Sequence, residues 1–238
     1  MTDQTPGAGG ANQTPGAGGA NQTPGAGGAN QTPGAGGANQ TIVHVMRHGE
    51  VHNPEKILYG RLPDYHLSDR GQAQARRVAE WLGSRDITHV VASPLERAQE
   101  TAAPIAAAHG LTVSTDDELI ESENIFQGQR VSPGDGALRD PRNWWHLRNP
   151  RTPSWGEPYS HIAARMKRAV LRAREAAHGH EAVCVSHQLP VETLRRAMTD
   201  RPLHHFPTRR MCNLASVTSF YFHDGVCVGW GYSELAGQ

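Results

Sequence analysis

From residue 41 onward, short uninterrupted apolar runs alternate with stretches in which apolar residues recur at helical spacing. Ile42-Val43-His44-Val45-Met46 reads as a buried strand that stops abruptly at Arg47-His48-Gly49. A polar loop with Asn53-Pro54 and Gly60 follows, and Leu67-Ser68-Asp69-Arg70-Gly71 then opens a helix. Ser68 is its expected N-cap, and Ala75, Val78, Ala79 and Leu82 mark its buried face. His89-Val90-Val91-Ala92 is the next strand. It runs into Ser93-Pro94-Leu95-Glu96-Arg97, which has the form of a helix start: Ser93 as cap, Pro94 at the first helical position and Glu96 completing a capping box. Leu111-Thr112-Val113 gives a further short strand. Helical spacing returns from Ser160 to Ala177, with Ile162, Met166, Ala169, Val170 and Ala173 as the core stripe. Ala182-Val183-Cys184-Val185-Ser186 is an apolar strand ending at His187, and Pro190 starts a helix to about Met198. Residues 215–222 and 226–232 flank His223-Asp224-Gly225, a hairpin signal. The alternation of strand and helix predicts an α/β domain with parallel strands.

Two segments stand outside this rhythm. Residues 4–39 are four tandem copies of Gln-Thr-Pro-Gly-Ala-Gly-Gly-Ala-Asn, with no large apolar or charged side chain in any copy. Burial cannot offset the ~1–2 kcal/mol per residue of backbone ordering there, so residues 1–40 are expected to form a disordered tail. The folded domain is expected over 41–238. Residues 117–155 are rich in loop signals and carry Trp144, Trp145, Arg139, Arg142, Arg148 and Arg151. Such an insertion fits a lid or substrate loop, and a packing role for the tryptophans fits equally.

Composition narrows the function classes. The 238 residues include 23 basic and 23 acidic side chains, and Asp3 is the one charged side chain before residue 41. The folded part is close to neutral, so no nucleic-acid or membrane partner is expected, and an anion would be attracted only locally. Cys184, Cys212 and Cys227 lack metal-ligand spacing and fit a reduced compartment better than a disulfide framework. Neither a charged leader with an apolar core nor a bilayer-length apolar stretch is present, so a cytoplasmic location is expected.

Local attraction has an evident source. Arg47-His48 and His187 each follow a strand, and Arg97 lies at a strand-to-helix junction. In an open α/β sheet the carboxyl ends of strands border the ligand crevice. Two guanidinium groups there bind phosphate as bidentate, permanently charged donors. Imidazole is a competent phosphoryl acceptor, and a nearby carboxylic acid can protonate the departing alkoxide. Glu121, where the chain enters the insertion, is the candidate acid.

Val45-Met46-Arg47-His48-Gly49-Glu50, Ser93-Pro94-Leu95-Glu96-Arg97-Ala98-Gln99-Glu100-Thr101 and Val185-Ser186-His187 resemble, in order, the three signatures of the histidine phosphatase (phosphoglycerate mutase-like) superfamily. Leu67-Ser68-Asp69-Arg70-Gly71 and Gly156-Glu157 resemble recurrent stretches of its bacterial phosphatase branch, and the likeness spans residues 41–232. The resemblance implies a three-layer sandwich with a mostly parallel central sheet, no metal requirement and a phosphohistidine intermediate. It assigns His48 as nucleophile, Arg47, Arg97 and His187 as the rest of the phosphate pocket, and Glu121 as proton donor. The remaining histidines are expected to be solvated or structural.

Three departures bear on function. The family often has a phosphate-binding asparagine seven residues after the motif arginine; here Pro54 holds that position and Asn53 precedes it, so Asn53 is carried as a substrate-binding candidate. The second histidine is followed by Gln188 instead of glycine, a side chain placed either to contact substrate or to pack. Mutases of the family follow their acid with a basic residue, whereas Glu121-Ser122-Glu123-Asn124 has an acid there. The expected function is therefore a metal-independent phosphomonoester hydrolase acting on a small phosphorylated metabolite, with no cofactor. The alternative is a phosphoglycerate mutase, which would need a bisphosphoglycerate primer. A non-catalytic phospholigand-binding protein is the lesser alternative, and the presence of all four of Arg47, His48, Arg97 and His187 argues against it. The oligomeric state has no signal in the sequence.

Overall fold

The computed structural model describes residues 39–132, 135–136, 141–147 and 155–235. The repeats up to residue 38, together with Arg139, Arg148 and Arg151 of the insertion, lie outside the described residues. Strand β1 (Gln40–Arg47) leads through a loop to helix α1 (Asp69–Leu82), then β2 (Ile87–Ala92), α2 (Glu96–Ala108) and the short β3 (Ser114–Thr115). The insertion contributes a small hairpin, β4 (Val131–Ser132) and β5 (Asp135–Gly136), and helix α3 (Pro141–Leu147). The chain then forms α4 (Tyr159–Ala176), β6 (Glu181–Ser186), α5 (Gln188–Met198), β7 (Val217–His223) and β8 (Val226–Ser233).

Six strands form one sheet in the order β3-β2-β6-β1-β7-β8. Pairings from β3 through β1 are parallel, and β7 runs antiparallel to both β1 and β8. The sheet is thus mostly parallel, and helices cover both faces. Alternation along the strands sends Val43, Val45, Ala182 and Cys184 toward α4 and α5. Met46, Val183 and Val185 point to the opposite face, against α1 and α2. Complete burial of each larger aliphatic side chain contributes ~1.5–3 kcal/mol, so the two clusters on either side of β6 and β1 anchor the fold. β6 and β1 are sandwiched on both faces, which is why their sequences read as continuous apolar runs. His44 in β1 is a structural histidine: buried, with Nδ1 on Ser219 Oγ and Nε2 on Glu181, each at 2.8 Å.

The helix stripes and the hairpin agree with expectation. Ser68 Oγ accepts from the Gly71 N–H at 3.1 Å, capping α1. Asp224 and Gly225, with φ of 48° and 78°, make the two-residue turn between β7 and β8. The start of α2 corrects the expected capping box. The helix begins at Glu96 with Leu95 at the N-cap position and no side-chain cap; the Ser93 hydroxyl lies two residues earlier, where it accepts from the Leu95 N–H and meets His187 across the sheet. The third strand also lies slightly later than Leu111–Val113. Leu111 and Val113 pack against the core instead, and pairing with β2 is confined to Ser114 and Thr115. α5 starts at Gln188, directly after His187, not at Pro190.

Candidate active site

Strand register brings the two histidines together. β1 and β6 pair with Arg47 opposite Ser186, so the residues that follow them, His48 and His187, emerge side by side at the carboxyl edge. The His48 N–H donates to Ser186 O at 3.0 Å, extending the ladder by one residue, and the two imidazole centroids are 5.1 Å apart. β2 ends beside β6 as well, which places Ser93 Oγ 2.8 Å from His187 Nε2 and delivers Arg97 on the first turn of α2.

The turn after His48 is locked by close backbone approach. A Cβ on Gly49 would lie 2.6 Å from Gly71 O, and one on Gly71 would lie 2.0 Å from Glu50 O, so α1 seats against this loop only because both residues are glycine. The Gly49 N–H donates to Thr101 Oγ1, and Gln74 Oε1 accepts from the Glu50 N–H. Glu100 in turn accepts from the Leu67 N–H at 2.7 Å. Several motif residues around the histidine therefore hold the loop that aims it.

His48 is 2% exposed and its Nδ1 lies 2.7 Å from Gly49 O. A carbonyl only accepts, so Nδ1 carries the proton and Nε2 keeps its lone pair. Burial first, and then the Arg47 and Arg97 charges, lower the His48 pKa well below the ordinary imidazole value. Burial lowers that of His187 likewise, with the His48, Arg97, Arg165 and Arg47 charges adding to it. Arg97 is fully buried and donates to Gly60 O at 2.5 Å. Its Nε and Nη1, the Arg47 Nε and the His187 Nδ1 are buried without a partner among the described residues. These four unpartnered polar atoms belong to side chains that neighbour His48, which makes the group a ready anion site.

Beside this group lies a cleft of about 360 Å³ whose walls include Arg47, His48, Tyr59, Glu121, Gln188 and Arg210. Arg97 and His187 lie behind its wall: the Tyr59 ring sits over the Arg97 guanidinium at 4.8 Å and meets His48 edge-on at 6.3 Å. Glu121 reaches the cleft with Oε1 accepting from the Ser122 N–H at 2.8 Å and hydroxyl at 3.2 Å. Gln188 lines the cleft too, accepting from Arg210 at 3.0 Å. Asn53 is placed elsewhere. Its amide bonds both backbone groups of Ile57, at 2.8 and 3.0 Å, and closes the loop instead of lining the cleft. Tyr59, Ser93 and Arg210 are the site residues that sequence reasoning missed. The local sequence around Ser93 signals a helix cap, and nothing near Tyr59 or Arg210 signals that either faces a cleft.

The sequence of residues 43–231 matches the model of the histidine phosphatase superfamily, branch 1. The chain belongs to this superfamily. Its members are phosphoryl-transfer enzymes, and this chain is one of them. It is 64% identical over 196 residues to the uncharacterized protein Rv0525 of Mycobacterium tuberculosis, covering 82% of this chain and 97% of that one. It is 28% identical over 205 residues to the probable phosphoglycerate mutase GpmB of an Enterobacter strain, covering 82% and 92%. Among solved structures, the mycobacterial glucosyl-3-phosphoglycerate phosphatase Rv2419c superposes with a TM-score of 0.64 at 26% identity, covering 84% of this chain and all of that one. The histidine phosphatase fold thus accounts for the sheet order and for the strand ends that carry the site. No helix among the described residues is long and apolar enough to cross a membrane.

The buried imidazoles give the fold a pH dependence of definite sign. His44, His48 and His187 stay neutral in the folded chain because burial lowers their pKa values. The unfolded chain takes up those protons as pH falls through about 6.5. It then binds more protons than the folded chain, so stability falls with pH in that window, by up to ~1.4 kcal/mol per pH unit for each group. Urea unfolding at pH 8, 7, 6 and 5 should give a midpoint that declines below pH 7. The carboxylates with lowered pKa values, Glu118, Glu181 and Glu192, act only at more acidic pH. A midpoint constant from pH 8 to 5 would show that the histidines are not held neutral.

Proposed function

We propose that this protein is a metal-independent phosphomonoesterase that acts through a phosphohistidine on a small phosphorylated metabolite in the cytoplasm. The observation that carries the reading is the His48 tautomer amid the unpartnered donors of Arg47, Arg97 and His187. His48 Nε2 attacks phosphorus as the ester P–O bond breaks, and the departing alkoxide takes a proton from the Glu121 carboxyl. A water then returns a proton to Glu121 and attacks the phosphohistidine. The N–P bond breaks back onto His48 and inorganic phosphate leaves. Arg47 and Arg97 neutralise the equatorial oxygens, the principal requirement of phosphoryl transfer. His187 meets the Ser93 hydroxyl through Nε2 at 2.8 Å, and its Nδ1, without a partner among the described residues, can offer an N–H to the phosphate. Arrival of a phosphate dianion favours the fully protonated ring.

Hydrolysis is favoured over isomerisation by the charge beside the acid. Glu123, on the wall that carries Glu121, stands where mutases of the family have a basic residue, and it engages Arg61 at 2.9 Å, so that cation is not left free for a substrate carboxylate. The mutase reading draws support from the GpmB relatives and from Arg210 on the opposite wall. The two separate in one assay. With a phosphoglycerate, its bisphosphorylated primer and a chelator, the protein should release inorganic phosphate faster than it isomerises substrate. Faster isomerisation would establish the mutase, and activity that depends on added metal would refute the mechanism.

A further inference from the structure

The Gly156-Glu157 pair is left unexplained by the phosphate chemistry, yet it lies within an ion-pair network beside the cleft. Glu157 takes Arg165 in a two-pronged bond, Oε1 from Nε at 2.9 Å and Oε2 from Nη2 at 3.0 Å. Oε2 also accepts from Arg61 Nη2 at 3.4 Å. Each arginine in turn grips the backbone next to the candidate acid. Arg165 Nη1 donates to Glu118 O at 2.7 Å and Ile120 O at 2.6 Å. Arg61 Nε donates to Glu121 O itself at 2.7 Å, and its Nη1 reaches Glu123 at 2.9 Å. The Glu157 N–H closes the loop on Glu123 O at 3.2 Å. A Cβ at position 156 would lie 2.2 Å from that same oxygen, so only glycine lets the two segments meet.

We infer that Glu157 is a positioning residue for Glu121: it holds Arg61 and Arg165 as a two-armed clamp on residues 118–123, which aims the Glu121 carboxyl at the leaving-group oxygen. This rests on the reading of Glu121 as the proton donor. Physically the clamp needs its carboxylate. Arg165 is almost wholly buried, and its fork is held in one orientation only by a planar anion that matches it. Segment 118–123 has little regular structure of its own beyond a single 3-10 turn at Asp117–Leu119, so its geometry is set by these side chains. An acid displaced by about 1 Å still fills the cleft but loses its grip on the proton transfer.

The test compares kcat/KM for an alkyl phosphate, glycerol phosphate, with that for an aryl phosphate, para-nitrophenyl phosphate. Only the alkyl leaving group needs the proton. Glu121→Gln should slow the alkyl ester about 100-fold and the aryl ester little. Glu157→Gln should show the same selectivity at roughly tenfold or more, and so should Arg61→Lys, whose half-exposed site spares the fold. If Glu157 acts through Glu121, the double variant Glu121→Gln/Glu157→Gln is no slower on the alkyl ester than Glu121→Gln alone. Equal slowing of both esters by Glu157→Gln and Arg61→Lys, or multiplicative losses in the double variant, would overturn the clamp and leave the acid role standing. Equal slowing of both esters by Glu121→Gln would instead remove the acid role and the clamp with it.

Discussion

His48→Ala is expected to lower phosphomonoester hydrolysis by on the order of 10⁴-fold or more, because it removes the atom that bonds to phosphorus. The variant should still fold. Its lost contacts are one buried ring and the bond to Gly49 O, a change of about 1–3 kcal/mol. A second histidine 5.1 Å away makes the assignment testable. His187→Ala keeps the His48 lone pair and both arginines, so it should be slow yet still trap radiolabelled phosphate on the protein as an acid-labile, alkali-stable adduct. His48→Ala should trap none. The opposite labelling pattern would move the nucleophile to His187, and activity retained in His48→Ala would end the covalent mechanism.

How much of this was legible before any coordinates depends on the range of the interaction that decides each residue. β1, β6 and the stripes of α1 and α4 are settled by apolar pattern, which is local, and those readings hold. The meeting of His48 with His187 needs only that two parallel strands end together, which the α/β alternation implies. Ser93 is different. Its local context is that of a cap, but a partner 94 positions away, His187, takes the hydroxyl. The hydroxyl serves a tertiary contact as well as the Leu95 N–H, and α2 begins at Glu96. Asn53 failed in the other direction. It stands one residue short of the family's phosphate-binding asparagine, and two bonds to Ile57, four residues on, hold its amide in the loop. Tyr59 and Arg210 come from irregular segments whose course no periodicity records.

Arg210 also shows how an irregular segment can be held in place. Glu192 in α5 accepts from Arg195, Arg196 and the Met211 N–H, which pins the chain immediately after Arg210 against a buried carboxylate. Arg210 is left bridging Gln188 and His205 on the cleft wall. Irregular backbone on both walls of the cleft is thus fastened by arginine–glutamate pairs, while the phosphate end is built on strand termini. This division matches the proposed chemistry: the invariant phosphoryl group meets the rigid sheet edge, and the variable alcohol meets the loops.

Arg97→Met should separate function from stability with opposite signs. Arg97 is a fully buried cation with Nε and Nη1 unpartnered and no carboxylate in its ion-pair range among the described residues. Holding it there costs the folded chain several kcal/mol of desolvation, which its contacts only partly offset. Those contacts are the bond to Gly60 O and the face of Tyr59. Methionine reaches about as far as Arg97 Nε and carries no charge, so the variant loses ~1–3 kcal/mol for the orphaned carbonyl and some packing at the vacated guanidinium, but sheds the larger penalty. The ligand-free variant should therefore melt at a higher temperature than the parent. Its kcat/KM should fall by about 10²–10³-fold, the usual cost of removing one preorganised donor to a developing charge. Orthovanadate sharpens the contrast. At about 100 times its dissociation constant it should stabilise the parent by ~2.7 kcal/mol, and at that same concentration it should stabilise the variant far less. A variant that melts lower in the absence of ligand would mean that the Gly60 and Tyr59 contacts outweigh the buried charge. A variant still stabilised fully by vanadate would place the anion outside the reach of Arg97 and dissolve the pocket on which the mechanism rests.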